Sequence, residues 1–203
     1  VLDMMQSLVQ HIRQIAVPGC TLGVLASDYV RHSGLFGRAL GAEYAVVYPD
    51  AQAQAALMQA MYGGNGIKDG HLDGVPLESV YQACLSVQAQ GAALIVPGMT
   101  ELSLVCADLQ RRGITALDIN DLYATFATQG SREPRDLPFK LGIVGGVGPA
   151  ATVDFMGKVV ASTPAGRDQD HIKMVVEQNP QIPDRTANLL KDEADPTMAM
   201  YAT

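Results

Sequence analysis

The sequence has few of the residues on which metal, disulfide or aromatic sites are built. Its 203 residues include no tryptophan, three cysteines and four histidines. The cysteines are far apart and lack a CxxC spacing, which predicts neither a disulfide framework nor a zinc site. The lack of a disulfide framework also favours a reducing, cytoplasmic compartment. No apolar run reaches the ~18 residues of a membrane span, and no signal peptide is recognised, so we expect no membrane partner.

Positive charge is also scarce. Lysine and arginine total 14 against 21 acidic residues, a formal net charge of −7. No basic stripe is present to neutralise phosphates, which disfavours nucleic acid as a partner. A small anionic ligand stays compatible, because it needs only one or two local cations. The hydrophobic content of 48% is typical of a globular protein with a sizeable core.

Short buried strands alternate with helical patterns through the first two thirds of the chain. The strands are predicted at 21–26, 43–48, 92–96 and 114–118. Helical periodicity is seen at 2–15, 33–40, 50–61 and 77–90. Two further helices are predicted, one that begins near 101 and one that follows the strand at 114–118 and ends near 128. This alternation predicts the α/β class, with three-layer αβα units in which helices cover both faces of a parallel sheet.

The polar, proline-bearing stretch GSREPRDLP at 130–138 predicts a linker between two units, 1–129 and 139–203. After it the pattern restarts, since KLGIVG at 140–145 is similar to TLGVLA at 21–26. The second unit has only two predicted strands, too few to close a core alone. We therefore expect it to be incomplete and to pair with the first unit or with further sequence.

The sequence GGVGPAAT at 145–152 joins a strand to a helix. Its glycines allow a tight turn, Pro149 suits the first helical position, and the exposed amides favour an anion. Gly146, Gly148 and Ala151 also fit the GxGxxA dinucleotide fingerprint, with Glu177 as the candidate ribose-binding acid. A dinucleotide site, a small-anion site and a plain tight turn all remain open on this pattern.

Two further segments follow, RDQDH at 167–171 and NPQIPDRT at 179–186. The prolines rigidify the second segment, so Arg185 could grip a carboxylate through two parallel hydrogen bonds. A surface arginine near a helix start is the alternative.

Together, GGVGPAAT, RDQDH and NPQIPDRT resemble the opening third of an aspartate racemase, a member of the cofactor-independent aspartate/glutamate racemase family. The first unit resembles, more faintly, the second half of such a racemase. Ser27 lies where the family has a threonine loop, and Lys68 resembles its substrate-binding lysine. Met99, Thr100 and Glu101 follow Gly98 where the family has Gly-Cys-Thr-Glu.

The resemblance implies two opposed cysteines that exchange the α-proton without pyridoxal phosphate or any other cofactor. Met99 replaces one of them, and the other is expected beyond Thr203, so the stretch itself contains no catalytic residue. Cys20, Cys84 and Cys106 are expected to be structural. Among the histidines, only His71 lies in the glycine-rich loop that contains Lys68. No metal ligand is implied. The implied substrate-binding residues are Ser27, Lys68, Thr100, Glu101, Gly148, Pro149, Thr152 and Arg185.

The order of the units is inverted, which predicts a tandem protein in which a degenerate racemase copy is fused to an intact one, with a circular permutation as the alternative. In the tandem protein, 145–152 and Arg185 would serve a site completed beyond Thr203, and the Met99 copy would be a scaffold or a ligand-binding relic. In either case we expect the intact protein to racemise an amino acid and this stretch alone to be inactive. A non-catalytic module for amino acids or dicarboxylates is the alternative, and a nucleotide-binding domain is a further one. Pairing of the copies within one chain or in a homodimer is expected.

Overall fold

The computed structural model describes residues 3–129 and 139–182. In these ranges the helices are α1 (Met4–Ile15), α2 (Asp28–Ser33), α3 (Leu35–Leu40), α4 (Ala51–Tyr62), α5 (Gly74–Ala89), α6 (Ser103–Arg111), α7 (Ile119–Gln129) and α8 (Pro149–Ser162). The strands are β1 (Thr21–Leu25), β2 (Ala45–Val47), β3 (Ala92–Pro97), β4 (Lys140–Gly145) and β5 (Lys173–Gln178). Short 3₁₀ turns lie at Ile67–Asp69, Thr100–Leu102 and Asp168–Asp170.

The first sheet has the order β2-β1-β3, and its strands are parallel, as the alternation of strands and helices predicted. Side chains alternate between its two faces, because successive residues of a strand point in opposite directions. Leu25 and Ile95 face one core, whereas Leu22 and Val24 face the other. Helices α4, α5 and α6 cover the first face and α1, α3 and α7 the second. This unit is therefore a three-layer αβα structure.

The predicted fourth strand at 114–118 is reduced to a single parallel bridge between Ile95 and Ala116. The Ala116 amide donates to the carbonyl of Ile114, and the Ala116 carbonyl accepts from Gln110 Nε2 at 2.9 Å. The bonds to Ile95 of β3 come from Thr115 and Leu117, so the Ala116 groups face outward, and their local bonds occupy positions that a further strand would need. The edge of the sheet is closed in this way.

The helix predicted at 33–40 is α3, and a further helix that was not predicted, α2, precedes it. Gly34 adopts a left-handed conformation with φ of +68°, which ends α2 and begins α3. Ser27 caps α2, its Oγ accepting from the Val30 amide at 3.3 Å. The extra helix therefore starts directly at the carboxyl end of β1.

The second unit contains the parallel pair β4-β5 and helix α8. Its core includes Ala124 and Ala127 of α7 together with Leu141, Ile143 and Val159. Helix α7 thus serves both units, because its Ile119 and Leu122 pack in the first one. Within the described ranges one face of β4-β5 is covered and side chains on the other, such as Val144 and Val175, are exposed. The predicted linker lies outside the described residues.

Candidate functional site

The turn after β3 places Met99 at the carboxyl edge of the sheet. Met99 is buried, and its Sδ accepts a weak hydrogen bond from the Tyr62 hydroxyl at 3.9 Å. The Gly98 amide donates to the Leu25 carbonyl at 2.7 Å, which joins this turn to the end of β1. A thioether has no exchangeable proton. Met99 therefore cannot act as an acid or a base.

Lys68 and Glu101 form an ion pair beside Met99. Lys68 Nζ lies 3.1 Å from Glu101 Oε1, and the two side chains are 22% and 8% exposed. The same ammonium lies 4.6 Å from the centre of the Tyr62 ring, within the range of a cation–π contact. The Thr100 hydroxyl donates to Glu101 Oε2 at 3.3 Å. Lys68, Thr100 and Glu101, which the resemblance assigned to one site, thus lie in contact.

Gly148 of the second unit lies against the same carboxylate. A Cβ on Gly148 would be 2.6 Å from Glu101 Oε1, so this approach requires glycine. Gly148 also has φ of +101°, which a side chain would strain. Pro149 follows at the first position of α8, as predicted. Glu101 therefore lies at the amino end of α8, where the helix dipole favours a negative charge.

The position of Glu101 at the amino end of α8 disfavours a dinucleotide site. The GxGxxA turn would hold a pyrophosphate at the amino end of α8, but a buried carboxylate of the protein lies there. Glu177, the candidate ribose-binding acid, is exposed on β5. A pyrophosphate would be repelled by Glu101 unless that side chain moved.

Two other residues that were predicted to bind substrate, Ser27 and Thr152, make local contacts within the protein. The Ser27 hydroxyl caps α2, so it lies at the same sheet edge as Met99 but is engaged in a local bond. Thr152 lies over the end of β4, since a Cβ on Gly145 would be 2.8 Å from Thr152 Oγ1. Arg185 lies outside the described residues.

A further polar cluster that no sequence motif indicated contains Asn120, Asp154 and Lys158. The buried Asn120 donates through Nδ2 to the Thr100 carbonyl at 3.3 Å and to Asp154 Oδ2 at 2.7 Å. Lys158 bridges Asp154 and Asp118, at 2.7 Å from each. The Asp154–Lys158 spacing of one helical turn was the available signal. This spacing does not predict the contacts with Asp118 and Asn120, which lie outside α8.

The charge state of Lys158 follows from these contacts. Burial favours its neutral form, but hydrogen bonds to Asp118 and Asp154 outweigh that cost and raise its pKa. The ammonium therefore stays charged at neutral pH and holds the end of the first unit to α8.

Cys84 and Cys106 are poorly suited to acid–base catalysis. All three are free, and burial raises the pKa of both Cys84 and Cys106 to about 12. Such thiols are almost fully protonated at neutral pH and therefore weak bases. Cys106 Sγ instead donates to the Leu117 carbonyl at 3.4 Å. His71 is exposed in the loop after Lys68.

A cleft of about 580 Å³ lies elsewhere, between α1, α7 and residues 116–118. Four glutamines and His11 contribute to its lining, and the predicted substrate-binding residues do not. The cleft is therefore separate from the Lys68–Glu101 pair. In the part of the chain that is described, no group of three histidine, cysteine or acidic side chains could hold a metal ion. Within the same ranges, no helix is both long and apolar enough to cross a bilayer.

No protein-family model matches the chain.

Proposed function

We propose that this chain is part of an amino-acid racemase of the aspartate/glutamate class, and that its own site binds an amino acid or small dicarboxylate. One observation carries the proposal. Two turns that the resemblance implies to bind substrate, Thr100–Glu101 of the first unit and Gly148–Pro149 of the second, are distant in sequence, yet Gly148 lies against the Glu101 carboxylate. Lys68 supplies a cation at their junction. The site is also at the carboxyl ends of parallel strands, where sheets of this kind bind ligands.

The contact between the two units supports their pairing within one chain. In a circularly permuted racemase, the second-half unit and the first-half unit would share one site, and the close approach of Gly148 to Glu101 is compatible with that arrangement. In a tandem fusion, the same contact would join a degenerate copy to its neighbour. We propose that Lys68 and Glu101 bind ligand in either arrangement.

Racemisation requires an acid and a base on opposite faces of the α-carbon. One thiolate would remove the α-proton, and a thiol on the other face would donate a proton to the resulting carbanion. Met99 occupies one of these positions and has no proton to give. We infer that the intact protein racemises its substrate without pyridoxal phosphate, whereas residues 1–203 act as a binding module.

Binding is tested by calorimetry with L-aspartate and succinate. Lys68→Met should weaken binding by at least about tenfold, since a charge-assisted bond contributes roughly 1.5–3 kcal/mol. Lys140→Met is the matched control, because Lys140 is an exposed lysine of β4. Absence of binding to both ligands, or equal affinities in both variants, would refute this binding role.

Catalysis is tested by incubating the 203-residue chain with each aspartate enantiomer in D₂O. We expect neither inversion nor deuterium at Cα, because both proton-transfer groups are missing and each typically contributes 10²–10⁴-fold. Met99→Cys should permit exchange from one face with retention, and Met99→Ser is its control. Rapid inversion by the unaltered chain would mean that another residue, such as Cys20 or His71, transfers the proton.

A further inference from the structure

The ion pair between Lys68 and Glu101 occupies the space in which a ligand carboxylate would meet Lys68. Glu101 Oε1 is 3.1 Å from the ammonium, and the carboxylate is 8% exposed. The Tyr62 ring covers the ammonium from another side at 4.6 Å. A ligand that binds Lys68 must therefore separate this pair or insert between its members.

Separation of the Lys68–Glu101 ion pair has a different energetic cost for different ligands. A dicarboxylate without an amine can replace Glu101 on Lys68, but it leaves the Glu101 carboxylate largely buried without a cation. Loss of one partner of a buried pair is strongly unfavourable. An α-amino acid carries both a carboxylate and an ammonium, so each charge of the protein regains an opposite charge.

We propose that Glu101 is a specificity-determining residue, which accepts the ligand's α-ammonium while Lys68 receives its carboxylate. This inference rests on the proposed binding function of the site. The Thr100 hydroxyl donates to the Glu101 carboxylate and Gly148 packs against it, so Glu101 cannot turn to solvent without losing the bond to Thr100. The site thereby selects zwitterionic amino acids against dicarboxylates of the same length.

The test compares L-aspartate with succinate, which has the same carbon chain and lacks the amine. Calorimetry on the unaltered 203-residue chain should give at least about tenfold tighter binding of L-aspartate. Glu101→Gln removes the negative charge at nearly constant shape. In this variant the ratio of the two affinities should fall to within about threefold, mainly because succinate binds more tightly.

Glu78→Gln is the matched control. Glu78 also pairs with a cation, Arg112, at 2.9 Å, but its side chain is 51% exposed. We expect this variant to keep the affinity ratio of the unaltered chain. The thermal midpoint of each variant shows whether it is folded, and the comparison of ligands on the unaltered chain requires no variant at all.

The outcomes separate this inference from the function on which it rests. Equal binding of L-aspartate and succinate to the unaltered chain would overturn the role of Glu101 and leave a binding site for carboxylates. An unchanged affinity ratio in folded Glu101→Gln would do the same. Binding of neither ligand would overturn both proposals.

Discussion

The ammonium of Lys158 lies 2.7 Å from a carboxylate oxygen of Asp118. Asp118 follows the last extended segment of the first unit, whereas Lys158 belongs to α8 of the second. Asp154, one helical turn earlier, binds the same ammonium at 2.7 Å. One partly buried cation is thus shared by two carboxylates from two units, and Asn120 links Asp154 to the Thr100 carbonyl. The network connects the packing of α8 to the turn that carries Glu101.

Lys158→Met should destabilise the protein by about 1–3 kcal/mol. The variant leaves two carboxylates with 21–24% exposed side chains near each other without their cation. The free energy of unfolding in urea measures this loss. Arg167→Met is the control, because the Arg167–Asp170 pair is on the surface and the arginine side chain is 75% exposed. Its effect should stay within about 0.5 kcal/mol, and equal losses in both variants would contradict the role given to Lys158.

Gly148→Ala should cost about 1–3 kcal/mol of stability. The new methyl would both strain a backbone at φ of +101° and lie 2.6 Å from Glu101 Oε1. Gly142→Ala is the matched control, since Gly142 lies in β4 with no heavy atom within 4 Å of its Cβ position and no left-handed φ. Addition of Glu101→Ala to Gly148→Ala should recover part of the loss, because only the contact is relieved. A double-mutant cycle without coupling would argue against the contact.

Asn120→Ala should lower the stability by about 1–3 kcal/mol and also weaken the binding of L-aspartate. Asn120 is 2% exposed, and its amide holds both Asp154 and the turn of Glu101. Denaturation and calorimetry measure the two effects. Asn179→Ala is the control, because Asn179 makes an exposed local bond to the Gln181 amide. Undisturbed affinity in a destabilised Asn120 variant would limit Asn120 to a structural role.

Stability should fall as the pH rises above about 9. Burial raises the pKa of Cys84 from 9.0 to about 12, so the unfolded chain loses this proton first. The contribution of the neutral thiol is complete below pH 9 and is lost progressively as the pH rises toward 12. At pH 10 the loss should be about 1.4 kcal/mol.

The measurement is the free energy of unfolding in urea between pH 8 and 10.5 for the unaltered chain and Cys84→Ala. The free energy of unfolding of Cys84→Ala should decline less steeply with pH than that of the unaltered chain. Val80→Ala, at a fully buried apolar position of the same helix, should lower stability at every pH and leave the slope unchanged. Identical slopes in the unaltered chain and Cys84→Ala would show that this thiol does not titrate with unfolding.

Most elements of the fold could be predicted from local pattern. The strands β1, β3 and β4 lie where their apolar runs placed them, and Pro149 starts α8, a position that its ring geometry favours. The segment 114–118 was predicted as a strand but forms one bridge to β3, and Gln110 occupies the Ala116 carbonyl on its outer side. That contact depends on the position of α6, which the local pattern of 114–118 does not contain.

The sequence by itself determined the α/β class, the parallel first sheet and the location of the candidate residues at strand ends, since these follow from apolar periodicity and turn chemistry within short segments. Only the tertiary structure decided which of these residues meet. Glu101 approaches Gly148, and Lys158 reaches Asp118, because α7 packs in the cores of both units and brings α8 against the first sheet's carboxyl edge. Such contacts join residues about 40 or more positions apart, and they depend on how helices pack rather than on any local pattern.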